Sequence, residues 1–455
     1  MVSSNVFFIF AKKNMPGSIL NKKIISLALP FLAANISIPL LGLVDTAVLG
    51  HLESEKYLGA IALGSMVFNF LFWGFGFLKM GTTGFTSQAK GKKDVSAVSL
   101  VLQRGVIISI ALGVLLILLK QPLWNLAALL LEGSDEVKQY ALEYYSIRIF
   151  AAPAVFLLYV LAGWFLGMQN AVYVLYITIT ENLLNIIFNL VFIYGFHMRA
   201  DGVALGTVCA QYTVLCLGTV LLIYKYRQSL KSHSIKIILK AKEMTEYFKV
   251  NTNIMIRTVA LMFAFAFFTG QSSSVNDVLL ASNMILMQFM LFFAYFIDGL
   301  AHAGESLSGF FFGASKRKAL KILLRKLFLW SLCLALLFSL VYLLMFRNII
   351  MILTNQEIVI STATDYKWWL VAIPILSFAA FVWDGIYIGL TASAYLRNAM
   401  LMALFLVYLP MYYIFSQYMG NHALWLAMSA FMLSRGLFLW AFSKHMFSKK
   451  IILQN

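Results

Sequence analysis

A single aspartate in the first long apolar stretch of the sequence stands where a charged side chain is costly. Asp45 follows Pro39 in that stretch, and no lysine or arginine lies within one helical turn of it on either side. A carboxyl buried at membrane depth favours its neutral form, whereas a hydrated one favours the carboxylate. A group that alternates between these two states can carry a proton. We therefore predict that Asp45 takes part in proton coupling; the alternative is a structural carboxyl that hydrogen-bonds to a neighbouring helix.

Three asparagines share one face of an apolar helix later in the first half of the chain. Asn182, Asn185 and Asn189 are spaced at i, i+3 and i+7, and Glu181 lies about 100° around the helix from Asn182. A stripe of amides in an apolar helix either joins helices through hydrogen bonds or lines a polar cavity. The spacing alone leaves both interpretations open.

Three acids occur in apolar stretches of the second half. Asp298 and Glu305 are seven residues apart and share a helix face, Asp384 lies in a later stretch, and Arg257 is the basic residue that we expect to pair with one of them. Such acids either form buried ion pairs or contact a cationic substrate. We expect at least one of them to contact the substrate, with Glu305 and Asp384 preferred over Asp298.

Methionines at helical spacing suggest a further surface for a hydrophobic ligand. Met284, Met287 and Met290 recur at i, i+3 and i+6 among several phenylalanines. A surface of this kind can repack around varied hydrophobic cations, but the same pattern is typical of a core or of a lipid-facing surface. The candidate substrate-binding residues are Glu305, Asp384, Asp298, Arg257, Asn182 and Met287.

The elements that position these side chains are predicted to be membrane-spanning helices. Of the 455 residues, 62% are hydrophobic and 12% are charged, and the mean hydropathy is +0.85. Apolar windows recur that are long enough to cross a hydrocarbon core of about 30 Å. We predict an all-α integral membrane protein with about twelve spans, near 24–50, 57–82, 97–120, 140–166, 170–195, 202–224, 246–270, 277–312, 320–346, 366–390, 398–418 and 422–444.

The positions of the basic residues explain the net charge of +17 without a nucleic-acid partner. Basic clusters precede the first predicted span, follow the second and the eighth, fill the stretch between the sixth and seventh, and end the chain, whereas the opposite loops carry far fewer. By the positive-inside rule, both termini and the central loop are predicted to be cytoplasmic. Basic residues at the membrane edge also suit anionic lipid head groups.

The two halves of the chain repeat with a common offset. Gly91 and Gly313 each close a span ahead of basic residues, and Gly167 and Gly389 match at the same separation of 222 residues. Six spans per half is an even number, so the repeat is predicted to be parallel, with two lobes around a cleft that opens to either side. The predicted division is an N-terminal lobe over 1–227, a cytoplasmic linker over 228–245 and a C-terminal lobe over 246–455.

Motifs of common catalytic sites are missing from the sequence. It contains no phosphate-binding Gly-x-x-x-x-Gly-Lys-Ser/Thr loop, no Gly-x-Ser-x-Gly elbow and no His-Glu-x-x-His pair. The six histidines are scattered, and the three cysteines lie in apolar segments without metal-ligand spacing. We predict that the protein is not an enzyme and that it has no cofactor or metal other than a coupling ion.

Six stretches, spread in order over nearly the whole chain, share the pattern of one protein family; they are 44–52, 81–91, 185–195, 201–207, 298–305 and 384–389. Together they resemble the multidrug and toxic compound extrusion (MATE) family and particularly its DinF-like branch. The resemblance implies a carrier of the bacterial inner membrane that exchanges organic cations for protons or sodium ions. It also implies that the first-span carboxylate is Asp45 and that Asn185, Asn189 and Thr207 belong to the same coupling site.

The resemblance also bears on the coupling ion. Asn189 stands where an archaeal pattern of the family has an acid, and the acid that the sodium-using branch has in its seventh span is missing from residues 250–270. We therefore expect a monomeric, proton-coupled antiporter of amphipathic organic cations, with sodium as the alternative ion. A different alternative is a flippase for lipid-linked precursors, which would need a cluster of cations for phosphate groups.

The predicted topology has a direct test. Single cysteines at Lys236 and at Asn355, each in a cysteine-free background, should react with a membrane-impermeant maleimide from opposite faces, because an odd number of predicted spans separates them. In intact cells the Asn355 site should be labelled and the Lys236 site protected. Labelling of both sites from outside would contradict the topology.

Overall fold

The structure is a computed structural model that describes residues 17–49, 55–131 and 134–452; the side chains of 38–49, 55, 58, 130 and 449–452 lie outside the described set. Within these ranges the chain is almost entirely helical and contains no strand. Twelve of the described helices are long and apolar enough to cross a membrane. The predicted all-α membrane fold is therefore confirmed.

Six of these helices belong to the first half of the sequence. They are α1 (Gly17–Leu49), α2 (Glu55–Gly74, continuing as Phe77–Gly91), α3 (Val95–Leu118), α4 (Asp135–Gly167), α5 (Ala171–Gly195) and α6 (Ala200–Tyr226). A shorter helix, Lys120–Leu130, lies between α3 and α4, and α4 includes the 3₁₀ turn Ile149–Ala151. The last turn of α5 is the π-helical segment Val191–Gly195.

The second half contains the other six spans. They are α7 (Ala241–Ser273), α8 (Asp277–Gly313), α9 (Arg317–Leu344), α10 (Lys367–Gly389), α11 (Ser393–Met419) and α12 (Asn421–Ile452). The connecting pieces are the short helices Arg227–Ser229, Ile235–Ile238, Phe346–Ile350 and Glu357–Asp365. A π-helical segment, Ala403–Tyr408, interrupts α11 as the other one ends α5. Such segments often mark functional sites.

Side-chain caps fix the start of several helices. The carboxylate of Asp94 accepts a hydrogen bond from the backbone N–H of Ala97 at the start of α3, at 2.9 Å. At the start of α8, the amide oxygen Oδ1 of Asn276 accepts a hydrogen bond from the backbone N–H of Leu279 at 2.8 Å. Each cap supplies a partner for a first-turn N–H group that has no acceptor within the helix.

The contacts within the chain divide it into two compact units. One comprises the residues up to Leu32 together with those from Thr252 onwards, and the other is Ala33–Asn251. The first half of α1 therefore packs with the second-half helices: the ring of Phe31 lies 4.4 Å from that of His302, and Lys326 donates to Asn21. This division differs from the predicted lobes at α1 and at the start of α7; the lobe boundaries stay a prediction.

The sequence repeat is reproduced in the backbone. Among the described residues other than glycine, five have a positive φ angle, and four of these form two pairs that are 222 residues apart. The pairs are Lys93 with Ser315, in the turn after α2 and α8, and Gln169 with Thr391, in the turn after α4 and α10. Both turns thus have the same left-handed conformation in each half, which confirms the 222-residue repeat.

Glycines hold the same helix pair together in both units. A Cβ atom added to Gly163 of α4 would collide with the backbone carbonyl of Lys79 of α2, and one added to Gly385 of α10 would collide with that of Ala301 of α8. All of these positions are matched by the 222-residue offset. Small residues let transmembrane helices approach until their backbones touch.

We predict that Gly385→Ala lowers the thermal stability of the purified protein. The new methyl group meets the carbonyl of Ala301, which belongs to a helix backbone and cannot rotate away. Overpacking of this kind costs about 1–3 kcal/mol. Heating the detergent-solubilised variant and measuring the fraction that stays monodisperse gives the shift.

Gly270→Ala is the matched control, because it is also a helical glycine but has open space where the Cβ would lie. This control should leave the stability unchanged or raise it slightly, since alanine favours a helix more than glycine does. Equal melting temperatures for the two variants would contradict the tight helix contact.

Candidate functional site

The amides predicted from the sequence form one hydrogen-bonded chain in the unit of residues 33–251. Asn189 donates through its Nδ2 to Oδ1 of Asn185 at 3.2 Å, and Asn185 donates through its Nδ2 to Oγ1 of Thr207 at 2.9 Å. The hydroxyl of Thr207 in turn donates to the backbone carbonyl of Val203. Both asparagine residues are buried. The structure thus brings together Asn185, Asn189 and Thr207, which join α5 to α6.

A glycine allows this close approach of α6 to α5. A Cβ atom added to Gly206, the residue before Thr207, would collide with the side chain of Asn189 and would lie 3.1 Å from its backbone nitrogen. The π-helical segment Val191–Gly195 begins two residues after Asn189. The amide chain therefore lies where α5 departs from regular α-helical geometry.

The third asparagine of the stripe contacts α1 instead. Asn182 donates through its Nδ2 to the hydroxyl of Ser37 at 2.9 Å and to the carbonyl of Ser37 at 3.2 Å. Asp45 lies eight residues further along α1, a rise of about 12 Å in an α-helix. Its backbone is helical, but its side chain lies outside the described residues. The coupling role of Asp45 therefore stays a prediction.

A second polar chain in the same unit contains a charge that the sequence analysis missed. Arg148 of α4 donates to Oε1 of Gln211 at 2.9 Å, and Gln211 donates through its Nε2 to Oε1 of Glu181 at 3.0 Å. The guanidinium of Arg148 lies 5.4 Å from the ring centres of both Phe68 and Phe72. The amide therefore links a carboxyl to a buried cation that aromatic faces also stabilise.

The unit that contains the second-half helices carries a cluster of buried charges. Oδ2 of Asp384 accepts hydrogen bonds from Nη2 of Arg257 and from Nη2 of Arg435 at 2.8 Å. These three side chains, which we call the arginine–aspartate triad, are buried. Phe381 and Phe431 lie about 6 Å from the Arg435 guanidinium. Three helices, α7, α10 and α12, are thereby joined through one carboxylate.

The expected pairing of Arg257 with one of the second-half acids is confirmed by its contact with Asp384, but these acids have further basic partners. Arg435 of α12 also binds Asp384, and Nδ1 of His302 lies 3.0 Å from Oε2 of Glu305. Asp298 is close enough to Arg435 to interact with it electrostatically. Arg435 is a lone arginine in an apolar stretch of the sequence, and nothing in the spacing indicates its partner. The arginine–aspartate triad carries one more positive than negative charge.

Glu305 and Met287, two further candidate residues, are both buried in the unit of the second-half helices. Glu305 is 1% exposed and lies inside the helix bundle of its unit. The side chain of its neighbour His302 is mostly buried there as well. Met287 is buried in the hydrophobic core that α7, α8 and α10–α12 share with α9. Its substrate contact stays a prediction. Among the described residues, no group of three or more histidine, cysteine, aspartate or glutamate side chains is arranged to hold a metal ion.

Comparison with known proteins connects this architecture to a family. The family model MatE matches the chain twice, over residues 30–191 and 253–414. The chain is 37% identical over 426 residues to the DNA damage-inducible protein F of Escherichia coli. This match covers 92% of this chain and 90% of that protein. It is 24% identical over 297 residues to the multidrug export protein MepA of Staphylococcus aureus, covering 65% of each.

A solved structure shows the same fold. The chain is similar to the MATE transporter VcmN of Vibrio cholerae in the bent form, with a TM-score of 0.84 and 20% sequence identity. The match covers 96% of this chain and 99% of that one. The two halves that the family model matches separately are the two halves of the 222-residue repeat.

The charges of the arginine–aspartate triad predict unequal effects of its substitutions. Asp384→Asn removes the carboxylate that two buried guanidinium groups share, so it should destabilise the protein by about 3–5 kcal/mol. Arg435→Met should cost less, because it leaves a balanced pair of Arg257 and Asp384. Thermal denaturation of the detergent-solubilised variants measures the difference, with Asp365→Asn on the exposed surface as the control. A greater loss for Arg435→Met than for Asp384→Asn would contradict this charge balance.

Proposed function

Because the chain belongs to the multidrug and toxic compound extrusion (MATE) family of transporters, we propose that it exports amphipathic organic cations in exchange for protons. The chain is a multi-pass membrane transporter and not an enzyme. We further propose that it works as a monomer in the bacterial inner membrane, with both termini in the cytoplasm. The bacterial relative and the alternation of basic loops support this placement.

The buried amide chain of α5 and α6 is the observation on which the proposal rests. Amides and hydroxyls both donate and accept hydrogen bonds, so they can solvate a carboxylate and a protonated carboxyl alike. Asn185, Asn189 and Thr207 supply such groups. We propose that these groups solvate the Asp45 side chain in both of its protonation states. When Asp45 is charged its surroundings are hydrated; when it is protonated it is buried and the drug is released.

The arginine–aspartate triad makes one acid of the second-half unit a poor sodium ligand. A sodium ion needs several oxygen ligands, and Oδ2 of Asp384 is not open to one. Two guanidinium groups already bind its Oδ2 atom and would repel a cation at that position. A proton, by contrast, needs only one basic oxygen.

The same triad changes which acid we propose for the substrate. Because Asp384 is held by two arginines, a cationic drug would have to displace one of them. Glu305 lies beside a histidine, and Asp298 is partly exposed. We therefore propose that these two acids contact a cationic substrate before Asp384 does.

Arg257 and Arg435 also favour a second candidate function. A cluster of buried cations is what the recognition of a phosphate group requires. A flippase for lipid-linked precursors would use such a cluster. The name of the relative MepA, a multidrug export protein, supports the first candidate instead.

Uptake of a fluorescent cationic dye into everted membrane vesicles tests the proposal, because an exporter moves its substrate into the lumen of such vesicles. Imposing a pH gradient alone should drive transport, and a sodium gradient alone should not. Asp45→Asn should abolish the proton-driven transport, because the amide is nearly isosteric with the carboxyl but cannot exchange a proton. Insertion and purification yield should stay at the wild-type level.

Asp277→Asn is the matched control, since this acid lies in the first turn of α8 and outside the amide chain. Its transport should match that of the wild type. Transport driven by sodium alone would contradict proton coupling. Transport of an anionic lipid analogue but of no cationic dye would favour the flippase.

A further inference from the structure

The connection between α6 and α7 contains a short apolar segment with exposed side chains. We call residues 235–239 the apolar linker segment; it begins with the one-turn helix Ile235–Ile238. Ile235, Ile237 and Leu239 are 58%, 48% and 45% exposed, whereas Ile238 is buried. Neighbouring exposed apolar side chains indicate a surface that contacts a further apolar partner.

Side chains of α3 hold this connection along the side of that helix, within the unit of residues 33–251. Ser99 donates to the backbone carbonyl of Lys231 at 2.8 Å. Arg104 donates through its Nε to the carbonyl of Ile238 at 2.9 Å and through its Nη2 to that of Ile237 at 3.4 Å. Arg104 is the tenth residue of α3, about 14 Å along the helix. The apolar linker segment therefore lies beside a membrane-spanning helix rather than beyond its end.

The same hydrogen bonds satisfy the backbone of a short, irregular stretch of chain. At membrane depth such backbone is tolerated only where its polar groups find partners within the protein. The carbonyls of Ile237 and Ile238 have Arg104 as their donor, and the carboxylate of Glu243 also accepts from Arg104. The guanidinium is itself buried. The segment thus turns its carbonyl groups towards α3 while three of its apolar side chains stay exposed.

The residue that holds the segment has a counterpart in the other half. By the 222-residue offset, Arg104 corresponds to Lys326 and Glu243 to Asn21, and Lys326 donates to Oδ1 of Asn21 at 2.8 Å. A basic residue of α3 or α9 thus binds near the start of α7 or α1. Arginine has more N–H donors than lysine, so Arg104 can bind the carboxylate and two carbonyls together.

Basic residues alternate with the exposed apolar ones. Lys236 lies within the segment, Lys240 and Lys242 follow it, and all three are exposed. Lys240 also lies 3.3 Å from a carboxylate oxygen of Glu243. A lysine side chain can lay its apolar stem along a surface and extend its ammonium group to lipid head groups. Lysines next to exposed apolar residues are typical of a segment at the boundary between head groups and acyl chains.

The spans on either side carry exposed aromatic residues close to this connection. Tyr224 lies two residues before the end of α6, and Phe248 lies seven residues after the start of α7. Both are at least half exposed. Tyrosine is enriched at membrane–water interfaces. In the chain, the apolar linker segment is thus flanked by residues that suit the same boundary.

We propose that the apolar linker segment lies in the interface of the lipid bilayer. Ile235, Ile237 and Leu239 contact the outer part of the acyl chains, and Lys236 and Lys242 contact the phosphates of anionic lipids. The connection between the two halves is then held to the membrane instead of being a hydrated loop. This proposal is independent of the coupling ion and of the substrate.

Quenching of a fluorescent label by lipids tests this position. Ile237→Cys in the cysteine-free full-length protein is labelled with bimane and reconstituted into vesicles of phosphatidylcholine and phosphatidylglycerol. A phosphatidylcholine with a nitroxide on its acyl chain, close to the head group, should quench this label about threefold more strongly than one at Lys92→Cys. Lys92 is the matched control, because it is exposed in the turn after α2. Iodide on both sides of the membrane should show the opposite order.

A phosphatidylglycerol with the same nitroxide tests the contact with anionic lipid. It should quench the label at residue 237 about twofold more strongly than the phosphatidylcholine does, because the lysines enrich anionic lipid around the segment. Lys236→Gln combined with Lys242→Gln should remove this preference. Lys92→Gln combined with Lys93→Gln removes the same charge elsewhere and should leave the preference unchanged.

Three outcomes would overturn the proposal. Iodide quenching at residue 237 as strong as at residue 92, without excess quenching by the lipid nitroxide, would place the segment in water. Protection of residue 237 from both quenchers would mean that protein covers the apolar side chains. Equal quenching by the two nitroxide lipids would show that the lysines do not select anionic head groups.

Discussion

A polar side chain at membrane depth that water does not reach needs a partner within the protein. This constraint shapes both units. Asn185 and Asn189 hydrogen-bond to each other and to Thr207, and Asp384 binds two arginines. The contact of Asn185 with Thr207 joins two helices, and the contacts of Asp384 join three. The groups that serve transport in our proposal therefore also fix which helices pack together.

The two halves share a backbone plan and differ in their chemistry. The glycine contacts of α4 on α2 recur in α10 on α8 at the same offset, and the left-handed turns recur with them. Asp384 stands one residue before Gly385, whereas Ala162 stands one residue before Gly163. An uncharged position in one half is thus the centre of a charged cluster in the other. The helix contacts are the same in both halves although the polar groups differ, and in our proposal one unit couples the ion while the other contacts the substrate.

Hydropathy and the shared offset were sufficient to predict the twelve helices and the repeat, because both depend on local composition and regular spacing. The link between Asn185, Asn189 and Thr207 followed from the family resemblance. Arg148 and Arg435 were missed, because each is a lone basic residue whose partners lie on other helices. The pairing of the first half of α1 with the second-half helices was also missed, since hydropathy identifies a span but not its neighbours.

Proton release on substrate binding tests the central claim most directly. The purified wild-type protein is mixed with a cationic dye in weakly buffered detergent solution, and the pH is followed with an indicator that does not bind the protein. We predict that dye binding releases protons and that Asp45→Asn binds the dye without releasing them. Proton release that is the same in Asp45→Asn as in the wild type would contradict the role of Asp45. Dye binding by the wild type without any proton release would contradict proton coupling itself.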